Sequence, residues 1–331
     1  MKEENRITVD LTAVIYRIKD SEPQIMTIPS PLSLPSGAFD PENHRTMELG
    51  LRSWVQEQTG QKLDYVEQIY TYGNWHRNKS NRQGSRNVTV GYYALMPYVK
   101  TDMSLPGRWM NLYNFFPWED FRSGIPGIVT DIIEPNLIKW SKDCDPLERK
   151  DREERIRLNF GDFRNWDMSK VLFRYEILYE AGLVSEAHRD WDDWAKDAKY
   201  RLPISSSFID DMNYRNLSRD LGLPMAGDHR RILASMTARI RGKIPYKPIA
   251  FKLLPKEFTL LAVQHVYEGI TGMQLHKQNF RRYIKQGNFV IETGDEDATG
   301  PGRPAAVYSF RSDVEAERVN VGLNLPFKRI E

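Results

Sequence analysis

FKLLPKEFTLLAVQHVYEGITGMQLHKQNFRRYIKQG, residues 251–287, decides the fold of the C-terminal part. Thr259 stands where it can cap a helix running to about Gly269, with Phe258 before the cap and Val263 inside the helix placed as a hydrophobic staple. The break GITGMQ holds Gly269 and Gly272. In the next segment, 276–287, helical spacing puts Phe280, Tyr283 and Ile284 on one face and Lys277, Gln278, Arg281, Arg282 and Lys285 on the other. Two short helices joined by a glycine-containing turn, the second apolar inside and basic outside, are what a helix-turn-helix needs to enter a DNA major groove. FVIET and AAVYSFR then read as two strands joined by the glycine-rich GDEDATGPGRP, a wing that carries Arg303. Lys277, Gln278, Asn279, Arg281, Arg282, Lys285 and Arg303 are therefore the candidate DNA contacts.

Upstream lies a basic stretch: residues 228–311 hold 14 Lys and Arg against 7 Asp and Glu, whereas the whole chain of 331 residues has a net charge of only +2. A case for nucleic acid rests on this uneven distribution and not on the total. Segment 228–243, DHRRILASMTARIRGK, reads as a further helix.

The N-terminal hundred residues read as α+β. ITVDLTAVIYRI (7–18) is a buried strand, PQIMTIP (23–29) its hairpin partner after the turn KDSE, and VTVGYYALMPYV (88–99) a further strand of the same sheet. Between them Met47, Leu51, Trp54 and Val55 recur at helical spacing, and Thr59-Gly60 supplies a C-terminal stop. Residues 101–223 differ, holding six of the eight tryptophans and the charge run DPLERKDREERIR (145–157), a solvated helix surface. There Met168, Val171, Leu172, Tyr175, Leu178 and Tyr179 mark one apolar helix face, which is packing. Cys144 is the single cysteine, which excludes an internal disulfide and a cysteine-built metal site. The apolar runs are too short for a membrane span and MKEENRITVD lacks the apolar core of a signal peptide, so a cytoplasmic protein without a membrane partner is expected.

The stretch FKLLPKEFTLLAVQHVYEGITGMQLHKQNFRRYI, with GPGRPAAVYSF and LPMAGDHRRILASMTARIRGKIPY, resembles the Nudix-related transcription regulators of bacterial NAD metabolism, the NrtR-like family and its longer NadQ-like branch. YVEQIYTYGNWHR (65–77) and VGYYALMPYV (90–99) carry the same resemblance near the N-terminus. It implies an α+β fold: a Nudix-like α/β/α sandwich over 1–246 with a largely helical insertion at 101–223, then a winged helix-turn-helix domain over 247–331. It also implies a homodimeric repressor of NAD biosynthesis genes, bound to a near-palindromic operator and controlled by an adenine nucleotide such as ADP-ribose, NAD or ATP.

A working Nudix box sets several helix carboxylates around a divalent metal that activates water. Here Gly37 to Gly60 is two residues too long for that box. Anchored at Gly60, its carboxylate positions become Trp54, Glu57 and Gln58; anchored at Arg52, they become Ser53, Gln56 and Glu57. Either register keeps only Glu57, a poor site for a hard cation, so no enzyme and no metal are expected. The rival is an active ADP-ribose pyrophosphatase built on Glu42, Glu48 and Glu57. Arg77 and Arg86, in a polar loop between strands, are the candidates for ligand phosphates. His76 and His229 lack a partner at metal spacing and read as hydrogen-bonding residues.

Overall fold

The computed structural model describes residues 7–74, 86–98, 107–163, 166–194, 202–205, 209, 212–245, 247–298 and 304–311. Arg77, His76 and Arg303 lie outside the described residues.

A mixed sheet forms the N-terminal body. Its strands are β1 (Ile7–Lys19), β2 (Glu22–Pro29), β3 (Leu32–Ser33), β4 (Ser36–Ala38), β5 (Tyr65–Tyr72), β6 (Arg86–Leu95) and β7 (Arg108–Asn111), in the order β3-β2-β1-β6-β5, with β4 on β1 and β7 on β2. The hairpin turn expected at KDSE is present, with Asp20 and Ser21 both at positive φ (51° and 66°). β1 and β6 run parallel from Ile7↔Arg86 to Tyr16↔Leu95. Side chains alternate across a strand, so Leu11, Ala13 and Ile15 of β1 meet Leu51 and Val55 of helix α1 (Met47–Thr59). Val14, Tyr16 and Ile18 face the opposite way, into the larger core. α1 begins and ends on strong local signals: Thr46 accepts from Leu49 N–H at its start, and Gly60, at φ 68°, closes it in the left-handed conformation.

The larger core belongs to helices α2 (Glu134–Lys142), α3 (Pro146–Phe160), α4 (Val171–Glu180), α5 (Ser185–Trp194), α6 (Met212–Asp220) and α7 (His229–Lys243). α7 covers the second face of the sheet, completing the α/β/α layering. The insertion is shorter than expected: Arg108–Asn111 pairs with β2 from Thr27↔Arg108 to Gln24↔Asn111, so the helical part starts after Asn111. A four-residue strand carries no periodic signal of its own; Trp109 is fixed by stacking, its ring 3.8 Å from the Arg17 guanidinium. Run 145–157 lies on α3, mostly exposed as expected, while Arg152 turns inward to the Trp140 carbonyl (2.7 Å).

The C-terminal part is a winged helix: β8 (Glu257–Thr259), α8 (Leu260–Thr271), α9 (Lys277–Gln286), β9 (Val290–Asp297) and β10 (Ala305–Phe310), with strand order β8-β10-β9. Thr259 caps α8 by accepting from Ala262 N–H. α8 runs two residues past Gly269, to Thr271, and the left-handed stop is Gly272 at φ 71°. Gly269 lies inside the helix, and its lack of a side chain admits the β1–β2 hairpin: an added Cβ would lie 2.9 Å from Ile18 and 3.2 Å from the Ser21 carbonyl. β9 also runs further than FVIET, through GDED, because its pairing with β10 extends to Asp297↔Ala305. One buried cluster joins Tyr16 of the sheet, Ile232 of α7, and Phe258 and Phe280 of the winged helix. The boundary between 246 and 247 is therefore crossed by a shared core.

Candidate nucleic-acid interface and polar pocket

α9 is held to the winged helix by Phe280 and Ile284, both fully buried, and by half-buried Tyr283. Its opposite face carries the expected side chains. Lys277, Gln278, Arg282 and Lys285 are exposed, and Asn279 and Arg281 half-buried. The Lys285 ammonium lies 5.3 Å from the Tyr308 ring of β10, and its pKa is raised chiefly by the hydrogen bond it donates to the Tyr308 side chain, so the cation is secured beside the wing. The face is thus a row of solvated cations and amides on a short rigid helix, suited to phosphates and base edges.

The turn between α8 and α9 is tied to the body. Glu268 accepts from Leu275 N–H (2.9 Å), Phe121 N–H donates to the Gly272 carbonyl (2.6 Å), and an added Cβ on Gly272 would lie 2.2 Å from the Glu119 carbonyl. Tyr113 donates its hydroxyl proton to the Gly269 carbonyl (2.9 Å). Beneath this contact Glu119 receives Arg174 through both oxygens (2.7 and 2.8 Å) and Arg241 of α7 at 2.6 Å, all three side chains being buried. Burial alone would raise the Glu119 carboxyl, but the two guanidiniums outweigh it and hold its pKa below the usual value. Arg241 also donates from Nε to the Ile270 carbonyl (2.8 Å), reaching the last turn of α8.

Much of the basic excess of 228–311 is used inside the fold. Arg230 is fully buried against Glu186 (3.0 Å) and the Phe115 carbonyl, Arg231 pairs with Glu176 and Asp228, and Lys243 pairs with Glu67. The acidic partners come from outside the stretch that was counted, except Asp228. Net charge over 228–311 therefore overstates what DNA could meet, and the solvated cations of α9 are the relevant ones.

At the other end of α7 a pocket of about 220 Å³ opens, lined by Asp10, Thr12, Asn74, Asn87, Thr89 and Asp228 among others. It lies on the sheet face turned away from α1, since Thr12 alternates with the inward-facing Leu11 and Ala13. His229 lines it while accepting from Leu34 N–H at Nδ1 (2.9 Å); burial, with help from Arg189, lowers its pKa to about 4 and keeps it neutral. The expected hydrogen-bonding role of His229 is met. Arg86 is exposed at the start of β6, donating to the Gly73 carbonyl (2.8 Å); it is not in the pocket wall, but its neighbour Asn87 is. Sequence spacing gave no sign of this pocket, whose walls come from five separated segments.

On α1, Gln58 makes two hydrogen bonds to the Ser36 backbone (3.1 and 2.7 Å) and the Trp54 indole donates to the Ala38 carbonyl (3.0 Å). An added Cβ on Gly37 would lie 2.3 Å from the Trp54 ring. Two of the three box positions in the Gly60 register thus clamp the loop that precedes the helix. Glu57 is exposed, Glu48 pairs with Arg52 (2.8 Å), and Glu42 is exposed in the loop. Among the described residues no group of three or more His, Cys, Asp or Glu side chains is placed to hold a metal ion.

Residues 250–310 match the NrtR DNA-binding winged helix domain family. The ADPR responsive transcriptional repressor NtrR of Acinetobacter baylyi is 37% identical over 140 residues, 40% of this chain and 56% of the relative, so the match spans about half of the relative's length. The crystal structure of Shewanella oneidensis NrtR complexed with a 27mer DNA aligns over 96% of this chain and 99% of its own, at 19% identity and a TM-score of 0.52. NrtR of the same organism crystallised without that DNA gives 95%, 99%, 18% and 0.52. The fold is that of the Shewanella NrtR structures, an α/β/α-layered domain followed by a winged helix, as expected from the sequence. Among the described residues no helix is long and apolar enough to cross a membrane.

Proposed function

We propose that the chain is a cytoplasmic, homodimeric transcriptional repressor of NAD biosynthesis genes whose hold on a near-palindromic operator is set by an adenine nucleotide. The observation that carries this reading is the exposed basic face of α9 within a winged helix, the element that a helix-turn-helix places in the major groove. Arg281, Arg282 and Gln278 read base edges; Lys277, Asn279 and Lys285 contact phosphates or position the helix, and Arg303 of the wing takes a phosphate or the minor groove. Two α9 helices related by a two-fold axis fit successive major grooves, which is why the operator is near-palindromic.

ADP-ribose is the leading effector, because the Acinetobacter relative responds to it; NAD and ATP share its adenine nucleotide and stand behind it. Arg86, at the start of β6, meets the phosphates, and Arg77 is the second residue proposed for them. Helix α7 supplies the route from ligand to DNA. From its N-cap Asp228 beside the pocket to Arg241 on the Ile270 carbonyl and Glu119 it covers about 20 Å at 1.5 Å per residue. A ligand that shifts its first turn moves the base of the helix-turn-helix, and coupling makes operator affinity respond.

The Nudix-like part is not a hydrolase on this reading. A carboxylate at position 58 could not donate the hydrogen bond that Gln58 gives Ser36, and Trp54 fills the first of the three carboxylate positions. The reading is tested by a mobility shift of the full chain with DNA upstream of its own gene and of NAD-synthesis genes, with and without ADP-ribose, NAD and ATP. A specific complex whose stability changes with one nucleotide supports it. Retarded DNA that no nucleotide affects removes the sensing half, and magnesium-dependent phosphoryl release from ADP-ribose restores the enzyme.

A further inference from the structure

We infer that the pocket at the start of α7 receives a ribose hydroxyl pair of the nucleotide, with the phosphates left outside it. This rests on the reading of the Nudix-like part as a nucleotide sensor. The lining decides the chemistry. Asp10 and Asp228 place two carboxylates in the wall, and an anion entering between them would be repelled. Arg231, beside Asp228 of the wall, is already engaged by Glu176, Asp228 (3.2 Å) and the side-chain amide oxygen of Asn74 (3.3 Å), and Arg189 by Asp190 and the Met225 and Gly227 carbonyls. Among the described residues, no Lys or Arg lines the pocket to draw a phosphate in.

What the wall does offer is hydrogen-bond acceptors and hydroxyls. Asn87 donates one amide proton to Asp10 (2.7 Å), which orients that carboxylate. Thr12 is only 1% exposed, and its hydroxyl makes no hydrogen bond within the protein although it lines the cavity. A buried hydroxyl without a partner costs on the order of 1–3 kcal/mol, so a ligand group that pairs with it is held preferentially. A vicinal diol fits this set: its protons go to a carboxylate such as Asp10, and one of its oxygens accepts from Thr12. About 220 Å³ admits a sugar but not a whole dinucleotide, which must extend past Asn87 to the rim where Arg86 stands.

The test is titration calorimetry on the full chain with ADP-ribose, adenosine, ribose 5-phosphate and inorganic pyrophosphate, repeated with Thr12→Val and Asp10→Asn. Thr12→Val exchanges one oxygen for a methyl group in a β-strand, and Asp10→Asn conserves volume, so either variant can carry the test if the other fails to fold. Each should weaken ADP-ribose on the order of tenfold or more while pyrophosphate binding stays unchanged. Competition by adenosine or by ribose 5-phosphate identifies which ribose occupies the site. The inference is overturned if folded variants bind ADP-ribose as the wild type does. It is equally overturned if Asp10→Asn tightens binding, as removing a charge beside a phosphate would, or if the wild type binds none of the ribose-bearing probes. In that last case an operator shift unaffected by nucleotides leaves DNA binding standing alone, which separates the two failures.

Discussion

In α7, Arg230, Arg241 and Lys243 are buried and meet Glu186, Glu119 and Glu67; in α9, Lys277, Arg282 and Lys285 stand in solvent, and no ion pair among the described residues takes them up. The two helices carry the same residue types to opposite ends. A buried guanidinium must be paired and fully hydrogen-bonded to be tolerated at all, so the cations of α7 fasten the insertion, the sheet and the winged helix together. Those of α9 keep their charge available. Basic content therefore identifies a nucleic-acid surface only once the carboxylates that neutralise it have been located.

The largest effect should come from breaking the buried set. Glu119→Ala leaves Arg174 and Arg241 facing each other without a counter-charge and should cost roughly 3–5 kcal/mol of stability, read by denaturant unfolding. A loss below about 1 kcal/mol would mean that the hub is not sealed from water. The converse belongs to the solvent-facing set of α9: Arg281→Ala with Arg282→Ala should weaken operator binding by roughly 2–6 kcal/mol, taking about 1–3 for each, while the unfolding free energy moves by less than about 0.5 kcal/mol. If the double variant instead unfolds easily, α9 is structural in the way that α7 is.

A third prediction concerns pH. The His229 pKa falls from 6.5 in the unfolded chain to about 4 in the fold, so the unfolded chain binds more protons in that interval. Stability is complete above pH 6.5 and declines as pH falls toward 4; between pH 6.5 and 5 the loss from this group is about 2 kcal/mol. His229→Gln should flatten that part of the profile. The smallest effect is expected of Lys285→Ala, which should lower the slope of log affinity against log salt by about 1 and leave sequence preference unchanged.

The two regions also differ in how far the sequence discloses them. α9, its apolar side and its basic side were legible because each depends on neighbours three and four positions away, and the caps at Thr259 and Gly60 depend on residues equally near. The stop of α8 was misplaced by the first of two glycines, since Gly269 lies where Ile18 and Ser21 of a distant hairpin approach the helix. The partners of Arg230 and Arg241 stand 44 and 122 positions away, and nothing local marks them. The pocket has the same character: Asp10, Asn74, Asn87 and Asp228 meet only after the sheet and α7 have assembled. The extra length of the Nudix segment was visible, but what Trp54 and Gln58 do there was not.

The most direct test of the account is operator affinity measured by fluorescence anisotropy for the wild type and for Arg281→Ala/Arg282→Ala, across a salt series, with and without ADP-ribose. The wild type should bind tightly and in a salt-sensitive way that ADP-ribose changes, and the double variant should lose the sequence-specific component. Equal affinity of both proteins for operator and for unrelated DNA at every salt concentration, with no effect of the nucleotide, would contradict the proposed function.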